Sequence, residues 1–250
     1  MKPFLLIVCF LGITATSSAQ TTVRGLPKAA VIIESRKLPV SNRTLVLWML
    51  SPKKNPTSYA MGDTYSCPDY TRGSHYSGAT RVSLLNPVTN RIINTIKISG
   101  PYEEGGDSFD LPYAIRAGFY YRVVPRPRDG EAKPTIMWLQ DYNGDGKALE
   151  FALFDAEACM GLQTTLIGYS EKQDRVIQYP VSLEIVEGSK RSNTVSPWAD
   201  YLFSKKPLSP GYWKYEIDYR GRAGSLDKWE VRYKPAKELF EGKLISIAGD

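Results

Sequence analysis

Three oxygen-bearing side chains alternate in Asp141-Tyr142-Asn143-Gly144-Asp145-Gly146-Lys147, and a glycine follows the third. Spacing at one, three and five aims Asp141, Asn143 and Asp145 at a common centre. Gly146 permits the sharp turn, and the backbone carbonyl of Lys147 adds a fourth oxygen. Hard oxygen donors packed this densely suit Ca²⁺, which takes six to eight oxygens at about 2.3–2.6 Å. The expected role is structural, with the ion offsetting carboxylate repulsion and holding the flanking chain in place. The competing reading is a plain turn, because Asn143-Gly144 and Asp145-Gly146 are both strong turn dipeptides. A plain turn, however, requires neither Asp141 nor the alternation.

Other chemistry is sparse. His75 is the sole histidine, which excludes a multi-histidine zinc site and leaves one candidate base for a serine triad. Gly106-Asp107-Ser108 resembles the nucleophile block of GDSL-type hydrolases, but that family places its histidine after the block and His75 precedes it, so the triplet is read as coincidence. No glycine-rich phosphate loop opens a helix. Asp63, Asp69, Glu103, Glu104, Asp107 and Asp110 have the type needed for paired-carboxylate glycoside chemistry. That mechanism depends on the distance between two acids, and solvated loop acids are the plainer reading. Tyr59, Tyr65, Tyr70 and Tyr76 cluster among small polar residues of the long segment 51–80. Their flat faces and polar tips suit sugar or protein recognition, and equally suit loop packing against a sheet edge. Trp48, Trp138 and Trp213 lie within strand-like runs and are expected in the core.

The segment Asp141-Tyr142-Asn143-Gly144-Asp145-Gly146-Lys147-Ala148-Leu149-Glu150 resembles the DxNxDG calcium loops of EF-hand, dockerin and FG-GAP or VCBS-type proteins. Thr135 to Leu139 before it and Leu149 to Phe154 after it read as strands, which places it nearer the FG-GAP type. The resemblance implies a calcium ligand set of Asp141, Asn143, Asp145, Lys147 and, as the nearest substitute for a bidentate acid, Glu150. Position nine is Leu149 and position twelve is Ala152, both departures from the pattern. They imply modest affinity, nearer the millimolar range of extracellular modules.

The start of the chain reads as a secretory signal peptide over residues 1–19. Lys2 supplies a positive n-region, Phe4 to Ile13 is a short apolar run, and Ser17-Ser18-Ala19 offers small residues before the cut. Such a run is too short for a spanning helix, which needs roughly 20 residues. A lipid anchor on Cys9 is disfavoured by bulky Val8 and Phe10. The chain is therefore expected to be secreted or periplasmic, with residues 20–250 forming one β-rich domain. Of the three cysteines, Cys67 and Cys159 remain after the leader. In an oxidising compartment they fit one disulfide, closing a loop of about 90 residues worth about 4 kcal/mol on the chain-entropy model. The alternative is two unpaired thiols. The net charge of +6 is scattered, with short clusters such as Lys190-Arg191 and Lys205-Lys206. Nucleic-acid binders concentrate such charge on one face, so a solvated surface is expected, with weak attraction to anionic cell-surface polymers left open.

Strand signals supply the frame that positions the loop. Ala29–Ile33, Thr44–Leu50, Val82–Leu85, Ile92–Ile98, Phe119–Val124, Thr135–Leu139, Leu149–Phe154 and Thr165–Tyr169 are apolar and rich in β-branched or bulky residues. Val176–Ile185, Tyr212–Tyr219, Trp229–Tyr233 and Leu244–Ile247 continue the pattern, and the alternation of 213–219 predicts one wet face. Helical signals predict a short helix from Ser196-Pro197-Trp198 through Phe203 and a turn capped by Asp155. The fold class is all-β: successive antiparallel hairpins forming a twisted sandwich, with propeller-like blades as the alternative. A weak repeat of aromatic-bearing strand, loop, strand, turn and strand runs over 44–98, 135–183 and 211–247. Two functional readings follow. The first is an exported, non-enzymatic β-protein with a structural Ca²⁺, binding polysaccharide or protein at the cell envelope. The second is a secreted hydrolase of polysaccharide or ester substrates.

Overall fold

The computed structural model describes residues 23–39, 41–55, 75–101, 106–112, 122–123, 134–155, 161–222 and 224–249. The expected leader, Cys9, Cys67, Cys159, Tyr59, Tyr65, Tyr70, Asp63, Asp69, Glu103 and Glu104 lie outside these residues, as does most of Phe119–Val124. The chain is all-β, built as a stack of sheets with no closed barrel among the described residues. Sheet 1 holds β1 (Ala30–Lys37), β2 (Thr44–Asn55), β3 (His75–Asn86) and β4 (Arg91–Lys97) in sequence order, with β5 (Leu111–Pro112) on the far end of β3. A two-residue pair, β6 (Arg122–Val123) and β7 (Pro134–Thr135), stands apart.

Sheet 2 centres on β9 (Gln163–Ser170), with β8 (Glu150–Asp155) along one edge. Its other edge is shared, since β10 (Arg175–Gln178) pairs with residues 167–170 and β13 (Trp198–Asp200) with residues 163–165. Sheet 3 contains β11 (Val181–Glu187), β12 (Lys190–Ser196), β14 (Tyr212–Asp218), β15 (Ser225–Lys234) and β16 (Leu239–Ala248), in the order β12-β11-β16-β15-β14. Its β11–β16 pair is parallel, unlike the hairpins around it.

Side-chain alternation explains the stacking. Leu45, Leu47 and Met49 of β2 and Val82 and Leu84 of β3 meet Phe151, Leu153, Ile167 and Val176 of sheet 2 in one core. The intervening residues Ala152 and Leu166 face the other way, into a second core with Val181, Leu183, Trp213, Trp229, Val231 and Phe240 of sheet 3. Sheet 2 is thus covered on both faces, which is why residues 151–154 of β8 are a continuous apolar run and residues 164–170 of β9 are all buried. A smaller cluster, Val23, Val46, Trp48 and Leu85, closes the outer face of sheet 1. No core cluster among the described residues joins sheet 1 to sheet 3. The architecture is a layered sandwich, as expected, and not a ring of blades.

The weak repeat has a structural counterpart: β2-β3-β4, β8-β9-β10 and β14-β15-β16 are each three-stranded antiparallel meanders. Other expectations need correction. Ser196 to Phe203 is not a helix. Trp198 and Ala199 are buried and pair with β9, and only a 3₁₀ turn follows at Leu202–Ser204. Tertiary burial overrides the local capping signal here. A second 3₁₀ turn lies at Arg220–Arg222, and no α-helix occurs among the described residues. Thr135–Leu139 is extended only at its start, and Trp138 is half-buried whereas Trp48 and Trp213 are core. The expected Val176–Ile185 strand is two strands, because Pro180 cannot continue the ladder and the chain crosses there from sheet 2 to sheet 3.

Sheets 1 and 2 are also joined by a polar clamp. The Asn94 amide donates to the Val176 carbonyl at 2.8 Å and accepts the Val176 N–H at 2.9 Å, so a side chain of β4 completes the ladder of β10. Nearby, the Arg43 guanidinium holds both oxygens of Asp174, at 2.9 and 2.7 Å, and keeps that carboxyl below the usual aspartate range. Asn94→Ala leaves both backbone groups of Val176 without this partner and is expected to destabilise the fold by about 1–3 kcal/mol. Chemical denaturation tests this; an unchanged midpoint would show that the clamp is dispensable.

Candidate functional site

The Asp141–Lys147 loop leads into β8 and packs against the start of β14. Gly144 and Gly146 take left-handed backbone conformations, with φ of 83° and 85°, which glycine adopts without strain. The Asp141 carboxylate draws the turn inward. Its Oδ1 accepts the N–H groups of Gly144 (2.7 Å) and Asp145 (3.2 Å), and its Oδ2 accepts that of Gly146 (2.9 Å). Asn143 Oδ1 accepts the Asp145 N–H at 2.9 Å, and Asp145 Oδ1 accepts the Lys147 N–H at 2.9 Å. Every second residue from 141 to 145 therefore holds the backbone that follows it, which is the work the alternation performs in this structure.

Glu150 is the member that sequence spacing left undecided. It opens β8, its backbone pairs with Gln140, and its side chain is fully buried. Its Oε2 accepts the Tyr142 N–H at 3.1 Å. Its Oε1 accepts the Asn143 amide at 3.0 Å, with the Tyr179 hydroxyl at 3.5 Å. The same Asn143 Nδ2 reaches Asp145 Oδ2 at 3.3 Å, so the two carboxylates converge on one donor. Burial foremost, against backbone donation from Tyr142, and then the negative charges of Asp145 and Asp141 together push the Glu150 carboxyl up to about 8. Among the described residues, no lysine or arginine stands among its partners. Lys147 turns its ammonium away to Glu171, leaving only its backbone in the loop.

Among the described residues, no group of three or more His, Cys, Asp or Glu side chains is arranged to hold a metal ion. A carboxylate offers about four acceptor positions, and Asp141 spends three on backbone N–H groups. The donor set still fits a hard cation in kind. Asp141, Asn143, Asp145 and Glu150 present only oxygen acceptors besides one amide nitrogen, and the innermost carboxylate has no positive partner.

Two glycines seat this loop on sheet 3. A Cβ on Gly144 would lie 2.8 Å from the Pro210 carbonyl atoms, and one on Gly211 would lie 2.5 Å from the Asn143 oxygen. The Tyr142 ring meets Phe203 edge-on at 6.0 Å, and Phe203 packs on Trp213 and Phe240. The loop is thus anchored to the second core, and the Gly211 signal was visible in sequence only as a turn residue.

The remaining candidates are dispersed. His75 Nε2 lies 3.5 Å from Asp110 Oδ2 at the open end of β3. Asp107 is held by Arg81 at 2.6 Å, and Ser108 donates to the Gly78 carbonyl. Tyr76 is half-buried against the first core, with the Lys54 ammonium 5.7 Å above its ring. Comparison with known proteins finds no match for this chain among family models, curated proteins or solved structures.

Two outcomes are expected. Gly211→Ala combines a left-handed backbone strain of about 1–2 kcal/mol with a steric clash, whereas Gly146→Ala, with nothing near its Cβ, has the strain alone. Thermal unfolding should rank Gly211→Ala clearly below Gly146→Ala, and equal losses would refute the close approach. Because the folded Glu150 carboxyl lies above its unfolded value, its contribution is fully present below about 4.5 and lost as pH rises through about 8. In chelator, wild-type stability should decline across that window relative to Glu150→Gln. Parallel pH profiles would remove Glu150 as the cause.

Proposed function

We propose that the protein is an exported, non-enzymatic β-protein that binds a partner at the cell envelope, and that its 141–150 loop takes up a structural Ca²⁺. The observation carrying the calcium reading is Glu150: a fully buried carboxyl whose charged form is disfavoured by burial and further by Asp145 and Asp141, with no cationic side chain among the described residues to offset it. Holding such a group ionised without a counter-charge costs several kcal/mol, which its raised pKa expresses, and a divalent cation would relieve that cost and favour the ionised form. Asp141, Asn143, Asp145, Glu150 and the Lys147 carbonyl are the groups that would hold the ion. Bound there, it would supply positive charge at the junction of sheets 2 and 3. Export rests on the residue pattern of 1–19, and the reading includes a Cys67–Cys159 disulfide.

The expected consequence is calcium-dependent stability. A ligand present at about 100 times its dissociation constant adds about 2.7 kcal/mol, which in a domain of this size raises the melting temperature by about 5–10 °C. Asp145→Ala and Glu150→Gln should each abolish the rise. Terbium, a luminescent calcium substitute, should be sensitised by Tyr142 and Tyr179 in the wild type and not in Asp145→Ala. A melt indifferent to calcium and chelator, with no terbium signal, would sink the metal reading.

A further inference from the structure

The outer face of sheet 3, turned away from sheet 2, carries a compact aliphatic patch. Val186 is the register partner of Ile245, and Leu226 of Ile247. All four belong to the alternation opposite to Ile185, Leu244 and Trp229, which point into the second core. Ile245 and Ile247 remain 38% and 44% exposed, and Val186 and Leu226 are half-exposed. An open groove of ≈ 760 Å³ lies at this end of the sheet, lined by Val186, Ile245 and Ile247 together with Glu187 and Lys190, which alternate to the opposite face. Contiguous exposed aliphatics with a polar rim mark a docking surface on a soluble domain.

We propose that this patch is the centre of a twofold contact with a second copy of the chain. The charge pattern selects that partner. Around the patch, cations and acids alternate from strand to strand: Lys243 lies 3.6 Å and Arg191 3.0 Å from Glu184, Lys228 lies 3.5 Å from Glu216, and Glu230 faces Lys243 in register. No sign dominates, so neither a polyanion nor a strongly acidic or basic partner is matched. A twofold contact lays one surface on itself and requires that surface to hold both signs around an apolar centre. The whole outer face, five strands about 4.8 Å apart and seven residues of about 3.3 Å, has a footprint of roughly 550 Å² per copy. A second copy laid over the full face, with the aliphatic patch inside it, reaches about 1,100 Å² in total, near the roughly 1,000 Å² of a specific interface.

Analytical ultracentrifugation from ~1 to ~100 μM, where contacts of this size commonly fall, tests the proposal. A reversible dimer is expected, with its dissociation constant raised at least tenfold by the double change Ile245→Lys and Ile247→Lys. Val88→Lys, a change at the more exposed turn between β3 and β4, should leave it unaffected. A monomer throughout, or a dimer insensitive to the double change, overturns the proposal. Should the double variant fail to melt cooperatively, wild-type hydrogen exchange decides. Protection at Val186 and 245–247 that grows with concentration supports the contact, and protection independent of concentration overturns it. These readings do not depend on calcium, so failure here is distinguishable from failure of the metal site.

Discussion

Coverage of sheet 2 on both faces is the constraint from which the rest of the structure follows. β8 and β9 bury alternate residues in two different cores, so neither strand has a wet side on which to place a polar group. Thr164 and Thr165 in β9 are accommodated because the Thr164 hydroxyl donates to the Ala199 carbonyl and the Thr165 hydroxyl accepts from Gln178. Glu150, at the first position of β8, has no such neighbour in the sheet. Its carboxylate must be met by the chain immediately before it, and the 141–147 loop is wound to do so.

That requirement links the loop to the layer beyond. Turning the N–H groups of Tyr142 and Asn143 toward Glu150 brings the backbone of Asn143 against Gly211, where any side chain would collide. Tyr142 is then directed into the aromatic cluster of Phe203, Trp213 and Phe240. Tyr179 joins the same cluster while its hydroxyl approaches Glu150, and burial raises that phenol well above its ordinary range. One buried acid therefore ties a surface loop to the packing of sheets 2 and 3. A cation at this point would act on the junction of two layers and not on an isolated turn.

Much of the frame was readable along the chain, and the failures share one cause. Alternation in 213–219 and the apolar runs of β2, β8 and β9 mark strands because their pattern repeats within a few residues. β12 escaped notice since Lys190–Ser196 is almost wholly polar, and it is a strand because β11 offers it a complete ladder. The segment from Ser196 to Phe203 misled for the converse reason: its capping signals are local, while the burial of Trp198 against Phe109, at 5.4 Å between rings, is set by a residue 89 positions earlier. In the loop, the turn dipeptides Asn143-Gly144 and Asp145-Gly146 were legible, whereas the turn-holding role of Asp141 and the orientation of Glu150 were not.

By itself, the order of residues determined the β character of the chain, the turns between neighbouring strands and the oxygen-rich composition of the 141–150 loop. These depend on steric and hydrogen-bonding preferences that act over a few residues. Only the tertiary structure decided that sheet 2 lies between two others, that Trp198 extends it, and that Glu150 points inward without a counter-charge. Those outcomes arise from burial against residues far away in sequence, and no local pattern encodes which face of a strand a distant layer will cover.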